Sequence, residues 1–380
     1  MMHSFLPTEQ TACLVFFNLC LILLMYALMK KALRPPYIVA PINRVLTVLL
    51  MFVFVLFSFW GADWFHYLMK FSYLQMGDIG HMEEIYGWIA RTFTPNYLIF
   101  RFILWGTSLF GLLHIFKRLS IPTYLAFFLF SSIYIIWFSY SRVSAAMVLT
   151  FYGLTLMYKP YKKKSLSILI GLIALVVSVF LHKTAIFGIF VSVLSIISFK
   201  YERKLFLLLL ICYPILIIIA QFYLRSFLLT DLEGEDGGLE AGLARGQMYL
   251  NLETKDMGIG PTMQRLFERL PYFALAYLTL SFIRSKLYFN TPNNIKIFLK
   301  IQLLILLFSS LFMFNLGANT DVVYIRFLRY SIIPSCISLA YLYSIRYKFG
   351  LTRFVFYLSF CGTLYTLIYT TYCVYVKFGW

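Results

Sequence analysis

The chain has 380 residues, 61% of them hydrophobic and 13% charged, with a mean hydropathy of +0.82 and a formal net charge of +18. A water-soluble fold carries roughly twice that charged fraction, which excludes an ordinary globular domain. Segments that alternate polar and apolar residues are absent, which excludes a β-barrel, and an all-α, polytopic helical membrane protein remains.

The basic excess suggests nucleic acid until its placement is read. Six short segments hold Lys30, Lys31, Arg34, Arg44; Lys117, Arg118; Lys159, Lys162, Lys163, Lys164; Lys200, Arg203, Lys204; Arg284, Lys286, Lys296, Lys300; and Arg346, Lys348, Arg353. These are 20 of the 33 basic residues. Of the acidic residues, Glu202 alone falls in these segments. Basic residues in short loops mark the cytoplasmic side, so the charge reports topology and no nucleic-acid partner is expected. The cysteines, Cys13, Cys20, Cys212, Cys336, Cys361 and Cys373, all lie in apolar runs without a CxxC pair and read as packing residues.

A helix needs ~20 apolar residues to cross the hydrocarbon core. On that measure spans are expected near 12–29, 44–60, 98–116, 122–138, 143–158, 166–181, 184–199, 205–223, 270–283, 297–314, 327–343 and 354–373. These make about twelve spans in a single integral membrane domain over 1–380, with both ends of the chain outside. The first run is followed, not preceded, by its lysines and reads as an anchor with its N-terminus outside, not as a cleavable signal. The runs at 143–158 and 270–283 are short enough to be tilted or half-inserted. The outer side is left with three segments of substance, approximately 61–97, 224–269 and 315–326.

The first outer segment opens on Gly61-Ala62-Asp63-Trp64-Phe65-His66-Tyr67. Further along, Met82, Ile85, Tyr86, Ile89, Ala90 and Phe93 fall on one stripe of a 3.6-residue repeat. An amphipathic helix lying along the membrane surface is expected there, holding Glu84 at the water boundary. Asp63 and Glu84 are the candidate acid or base groups; each reads equally as a helix cap or as half of an ion pair. Asp63, His66 and His81 match no compact zinc spacing and show no fourth ligand, so no metal is expected.

Arg101 lies early in the third span and could snorkel to the outer surface. Arg142, after Ser139-Tyr140-Ser141, reads either as an ion-pair partner of Asp63 or Glu84 or as a phosphate ligand with a planar bidentate fork. His182-Lys183-Thr184 is a three-residue turn between two spans, and His182 reads as structural or catalytic. The acidic run from Asp231 to Gly238 resembles a calcium loop only superficially. Asp236 stands where a glycine is needed and Gly242 where a bidentate glutamate is needed, so a solvated loop or lid is expected. Arg326 and Arg329 share one helix face at i, i+3. Asp321 could satisfy one of them, and a diphosphate would satisfy both.

No Ser/His/Asp spacing, Gly-rich nucleotide loop or Walker motif accompanies these residues. Chemistry outside the cytoplasmic membrane has no nucleotide to draw on, so an enzyme there needs a pre-activated donor. A lipid-linked sugar diphosphate is one, with arginines to neutralise the departing diphosphate and a carboxylate or His to deprotonate the attacking hydroxyl.

At this point the chain resembles the EpsG-type family of bacterial polysaccharide polymerases, within the wider Wzy group. The resemblance rests on Gly61-Ala62-Asp63 with Tyr67, Glu84 with Tyr86, Ser141-Arg142, Phe180-Leu181-His182-Lys183-Thr184-Ala185, and Arg326 to Tyr330. It covers about residues 45–345. It departs where some members follow the arginine with glutamine, since Val143 and Ser144 follow Arg142 here.

The resemblance implies a membrane glycosyltransferase of the bacterial cytoplasmic (inner) membrane with its active site facing the periplasm or exterior. It would polymerise undecaprenyl-diphosphate-linked oligosaccharide repeat units of an O-antigen, capsule or exopolysaccharide, by metal-independent, inverting transfer and without a cofactor. Asp63 or Glu84 would activate the acceptor hydroxyl and His182 would orient donor or acceptor. Arg142, Arg326 and Arg329 would hold the donor diphosphate. Expected partners are the lipid-linked oligosaccharide, membrane lipid, and a chain-length regulator and flippase of the same pathway. An O-antigen ligase and a lipid-linked oligosaccharide flippase are the competing readings. A flippase should carry charges through the depth of several spans, whereas here they gather at the outer rim.

Overall fold

A computed structural model describes residues 70–77, 84–93, 96–121, 141–158, 164–197, 215, 259–313 and 327–377. Among these the regular structure is all helical, with no strand. In chain order the helices are α1 (Glu84–Thr92), α2 (Tyr97–Arg118), α3 (Ser141–Tyr158), α4 (Lys164–Leu181), α5 (Ala185–Ile197), α6 (Ile259–Ile283), α7 (Asn293–Met313), α8 (Ile332–Ser344) and α9 (Phe349–Lys377).

The expected spans at 12–29, 44–60 and 122–138 lie outside the described residues, as does all but one residue of 205–223. Every other expected span coincides with a helix. Two helical stretches, Ile99–Arg118 and Lys164–Leu181, are long and apolar enough to cross a membrane. The total of about twelve remains an expectation from the ~20-residue span length.

The boundaries depart from expectation in two places. α6 begins at Ile259, so the last part of the segment read as an outer loop at 224–269 is helical. Its Pro271 lies inside the helix and cannot donate to the carbonyl four residues back. The span expected from 327 enters instead through a tight 3₁₀ turn, Arg329–Ser331, before α8 starts at Ile332. Pro334 sits in the first turn of α8, where a missing N–H costs nothing because no intrahelical acceptor awaits it.

α3 and α4 form the closest helix pair, and small residues explain why. Ser167, Gly171, Ala174 and Ser178 are the buried face of α4, spaced as in the small-residue seams that let membrane helices approach. A Cβ built on Gly153 would lie 2.6 Å from the Gly171 carbonyl oxygen, and one on Gly171 would lie 2.8 Å from that of Gly153. The Thr150 hydroxyl adds a bond to Ser178 Oγ at 3.1 Å. The opposite face of α4 exposes Leu166, Leu169, Ile170, Leu172, Ile173, Val176 and Phe180, the surface of a helix that meets lipid.

α2 packs on α3, and α6 packs along α9. α5 lies against α7 and ties the earlier helices to the later ones. There Lys300, expected in an inner loop, is fully buried within α7. Its ammonium donates to the Ser195 carbonyl at 3.3 Å, in the last turn of α5, where carbonyls lack intrahelical partners and the helix dipole favours a cation. α8 is buried on every side, as the central helix of a bundle is.

Candidate functional site

The site grows from one end of α4. Leu181 closes that helix and His182, Lys183 and Thr184 make the turn into α5, as the sequence predicts. The Ala185, Ile186 and Phe187 amides donate to the His182, Lys183 and Thr184 carbonyls at 2.9, 3.2 and 3.0 Å. The turn is therefore wound directly into the first turn of α5.

α1 docks onto this turn. Tyr86, Gly87, Ile89 and Ala90 are buried while Glu84, Trp88, Arg91 and Thr92 are exposed, so the expected amphipathic helix exists. Its apolar face rests on protein, with α4 among its neighbours. Phe93, expected on that face, lies beyond the helix end and is exposed, edge-on to Trp88 at 5.0 Å.

Tyr86 is fully buried, and its phenol donates to the Leu181 carbonyl at 2.6 Å. A helix leaves its last carbonyls without partners; here a tyrosine from a residue 95 positions away supplies one. The guanidinium of Arg142 lies over the same ring, 5.5 Å from its centroid, a cation–π contact. Tyr86 thus brings α1, the start of α3 and the His182 turn to one place.

The far side of the turn is held by Tyr330. His182 Nδ1 and Thr184 Oγ1 are 2.6 Å apart, and Thr184 Oγ1 lies 3.2 Å from the Tyr330 hydroxyl. Tyr330 is fully buried in the 3₁₀ turn with Arg329, itself 6% exposed. A Cβ on Gly188 would meet the Tyr330 ring at 2.6 Å, so only glycine on α5 admits that ring. A continuous chain of contacts therefore runs Arg142, Tyr86, Leu181–His182, Thr184 and Tyr330, the residue that follows Arg329 in the chain.

Three of these segments open helices. Arg142 is the second residue of α3, His182–Thr184 precede α5, and Arg329 leads into α8. Helix N-termini carry partial positive charge and unsatisfied amides. An arginine there is disfavoured by the dipole, a cost that a bound anion would offset.

Of the residues expected to act, Asp63 and Arg326 lie outside the described residues. Arg142 and the His182 turn meet at Tyr86, and Arg329 adjoins Tyr330, whose hydroxyl lies near Thr184. Glu84 is exposed in the first turn of α1, two residues from Tyr86, where a carboxylate suits the helix N-terminus. Among the described residues no ion pair joins Glu84 to Arg142, whose described neighbour is the Tyr86 ring. Arg101 does not snorkel: it is 5% exposed, on the protein-facing side of α2 with Phe100, Leu104 and Trp105, and 5.8 Å from the Tyr97 centroid. Tyr86, Thr184 and Tyr330 had no assigned role in the sequence reading. The available signal was their position beside Glu84, His182 and Arg329.

An all-helical membrane protein whose helix ends meet at the His182 turn is the class that fold and site define. The model of the EpsG family matches residues 42–378, most of the chain. The protein belongs to the EpsG family. Neither a curated protein nor a solved structure matches the chain.

Proposed function

We propose that the protein polymerises polyprenyl-diphosphate-linked oligosaccharide repeat units at the outer face of the bacterial cytoplasmic membrane. Family membership supports a polysaccharide-polymerase-like function. The observation that carries the reading further is the contact chain that joins Arg142, the His182 turn and Tyr330, the residue after Arg329.

In this reading the acceptor sugar hydroxyl attacks the anomeric carbon of the donor. A new glycosidic C–O bond forms, the C–O bond to the diphosphate breaks, and the lipid diphosphate leaves with the bonding pair. Arg142, Arg329 and Arg326 neutralise the charge that grows on the departing phosphate. Asp63 or Glu84 takes the hydroxyl proton. α1, with Trp88 and Phe93 exposed, lies in the interface where such a headgroup sits.

The test is the lipid-linked glycan of a strain deleted for the gene. Single capped repeat units without longer chains are expected. Polymer that persists on lipid diphosphate beside an uncapped lipid core would indicate a ligase, and repeat units trapped on the inner leaflet would indicate a flippase. An unchanged glycan would overturn all three readings.

A further inference from the structure

We propose that Trp88 and Phe93, on the open face of α1, form a stacking platform for a sugar ring and grip the glycan away from its diphosphate end. The proposal deepens the polymerase reading and rests on it for which glycan is held; that the platform takes a carbohydrate does not.

α1 spends its apolar stripe on protein. Tyr86, Gly87, Ile89 and Ala90 are buried, so the face that a surface helix would dip into lipid is already covered. Trp88 is not on that face. At 3.6 residues per turn it stands about 160° around the axis from Tyr86. It occupies the middle of the polar face, with Glu84 one turn before it and Arg91 and Thr92 one turn after, all exposed. Trp88 remains 54% exposed and Phe93 59%, with ring centroids 5.0 Å apart and planes at 80°. Two rings at nearly a right angle make an open corner. Its position is fixed from below, because Tyr86 anchors α1 to the Leu181 carbonyl. At its rim the Arg91 guanidinium lies against the Gly77 backbone, where Nη1 would be 3.6 Å from an added Cβ.

Lipid does not account for this placement. An indole sinking into hydrocarbon would draw Glu84 and Arg91 in with it, and charges there are costly. A carbohydrate does account for it. A sugar ring has a face of C–H groups, slightly positive, that lies flat on the negative face of an aromatic ring. It also has a rim of hydroxyls that both donate and accept. Glu84 accepts, Arg91 donates and Thr92 does either, so the face meets both kinds of hydroxyl without net charge. Ligand sites combine apolar surface with a few placed polar groups in this way. Trp88 lies across α1 from the ring that Arg142 covers. The sugar it meets is therefore farther along the chain than the one bonded to the diphosphate. The platform holds the chain and takes no part in bond making.

The test is fluorine NMR of the full-length protein in lipid nanodiscs, with its six tryptophans replaced by 5-fluorotryptophan and W88F assigning the Trp88 signal. The probe is oligosaccharide released by partial hydrolysis of the strain's own surface polysaccharide. The Trp88 signal is expected to move saturably with the probe. By calorimetry W88A should weaken binding by about tenfold and W88F, which keeps a ring, by less. In a complemented deletion strain W88A is expected to shift polymer to shorter chains with the amount of membrane-inserted protein unchanged. A Trp88 signal that ignores the oligosaccharide, or wild-type binding by W88A, would overturn the proposal. Broadening by spin-labelled lipid without any response to oligosaccharide would make Trp88 a membrane anchor and overturn it too. If the signal moves but deletion leaves the glycan unchanged, the polymerase reading fails and the carbohydrate platform stands.

Discussion

Arg142 occupies the second position of α3, over a buried tyrosine ring. Its planar fork can hold two phosphate oxygens at once, which a lysine cannot. R142A is expected to abolish polymer while leaving the amount of membrane-inserted protein unchanged, and R142K is expected to restore less than about a tenth of it. Wild-type chain lengths from R142A on a gel would remove Arg142 from the site. Tyr86 makes a different kind of contribution. Y86F keeps the ring under Arg142 and deletes the bond to the Leu181 carbonyl, leaving that buried acceptor without its phenol donor. A loss of about 1–3 kcal/mol is expected, read as a lower thermal unfolding midpoint in detergent. If Y86F unfolds as wild type does, the phenol is not what holds α1 to the turn.

At the scale of elements, packing of α3 on α4 depends on two glycines whose backbones face each other. G171L places a branched side chain against the Gly153 carbonyl, a backbone obstacle that stays even where the Met157 side chain gives way. Overpacking typically costs 1–3 kcal/mol, and a backbone obstacle puts this case at the upper end or beyond; the expected readout is loss of the folded peak in detergent chromatography. Gly350, near the start of α9, is the control, since nothing lies within 4 Å of a Cβ built there. G350A should leave stability unchanged or raise it by up to about 1 kcal/mol through the helix preference for alanine.

This is also the scale at which the sequence was most legible. The runs at 98–116, 166–181 and 297–314 predict α2, α4 and α7 within a few residues because apolar length is a local property. α6 starts before the span expected at 270–283 because Ile259–Arg269, helical-looking in sequence, is too polar to count as membrane-crossing and runs on into that span as one helix. Lys300 was misplaced for a related reason: a lysine near a span end signals a loop by composition, while the carbonyl that draws it inward belongs to α5.

Among the described residues, exposed apolar side chains lie on α2, α4, α5, α6 and α9, and the bonds that clamp the His182 turn lie at helix ends. Arg142, His182 and Arg329 were legible as candidates because each is a polar residue at the rim of an apolar run. Their relation to one another was not, since it passes through Tyr86 and Tyr330, aromatic residues in a chain that has 29 tyrosines. Nothing local marks which phenol reaches across the bundle. One prediction belongs to the molecule as a unit: G188V should drive Tyr330 out of its seat and weaken the Thr184 bond without touching Arg142 or Arg329. Polymer is expected to fall with G188V while membrane insertion persists, and undiminished polymer would show that the Tyr330 seat is dispensable.

The two bonds that clamp the turn join residues 95 and 146 positions apart. A chain emerging from the ribosome gains the first only after Leu181 has been made, and the second only after Tyr330, by which time most of the protein is in place. Contacts of such separation form late, after neighbouring helices have paired. Nascent and truncated chains therefore reach the membrane before the His182 turn is clamped on both sides, and the second clamp arrives only with the late helices.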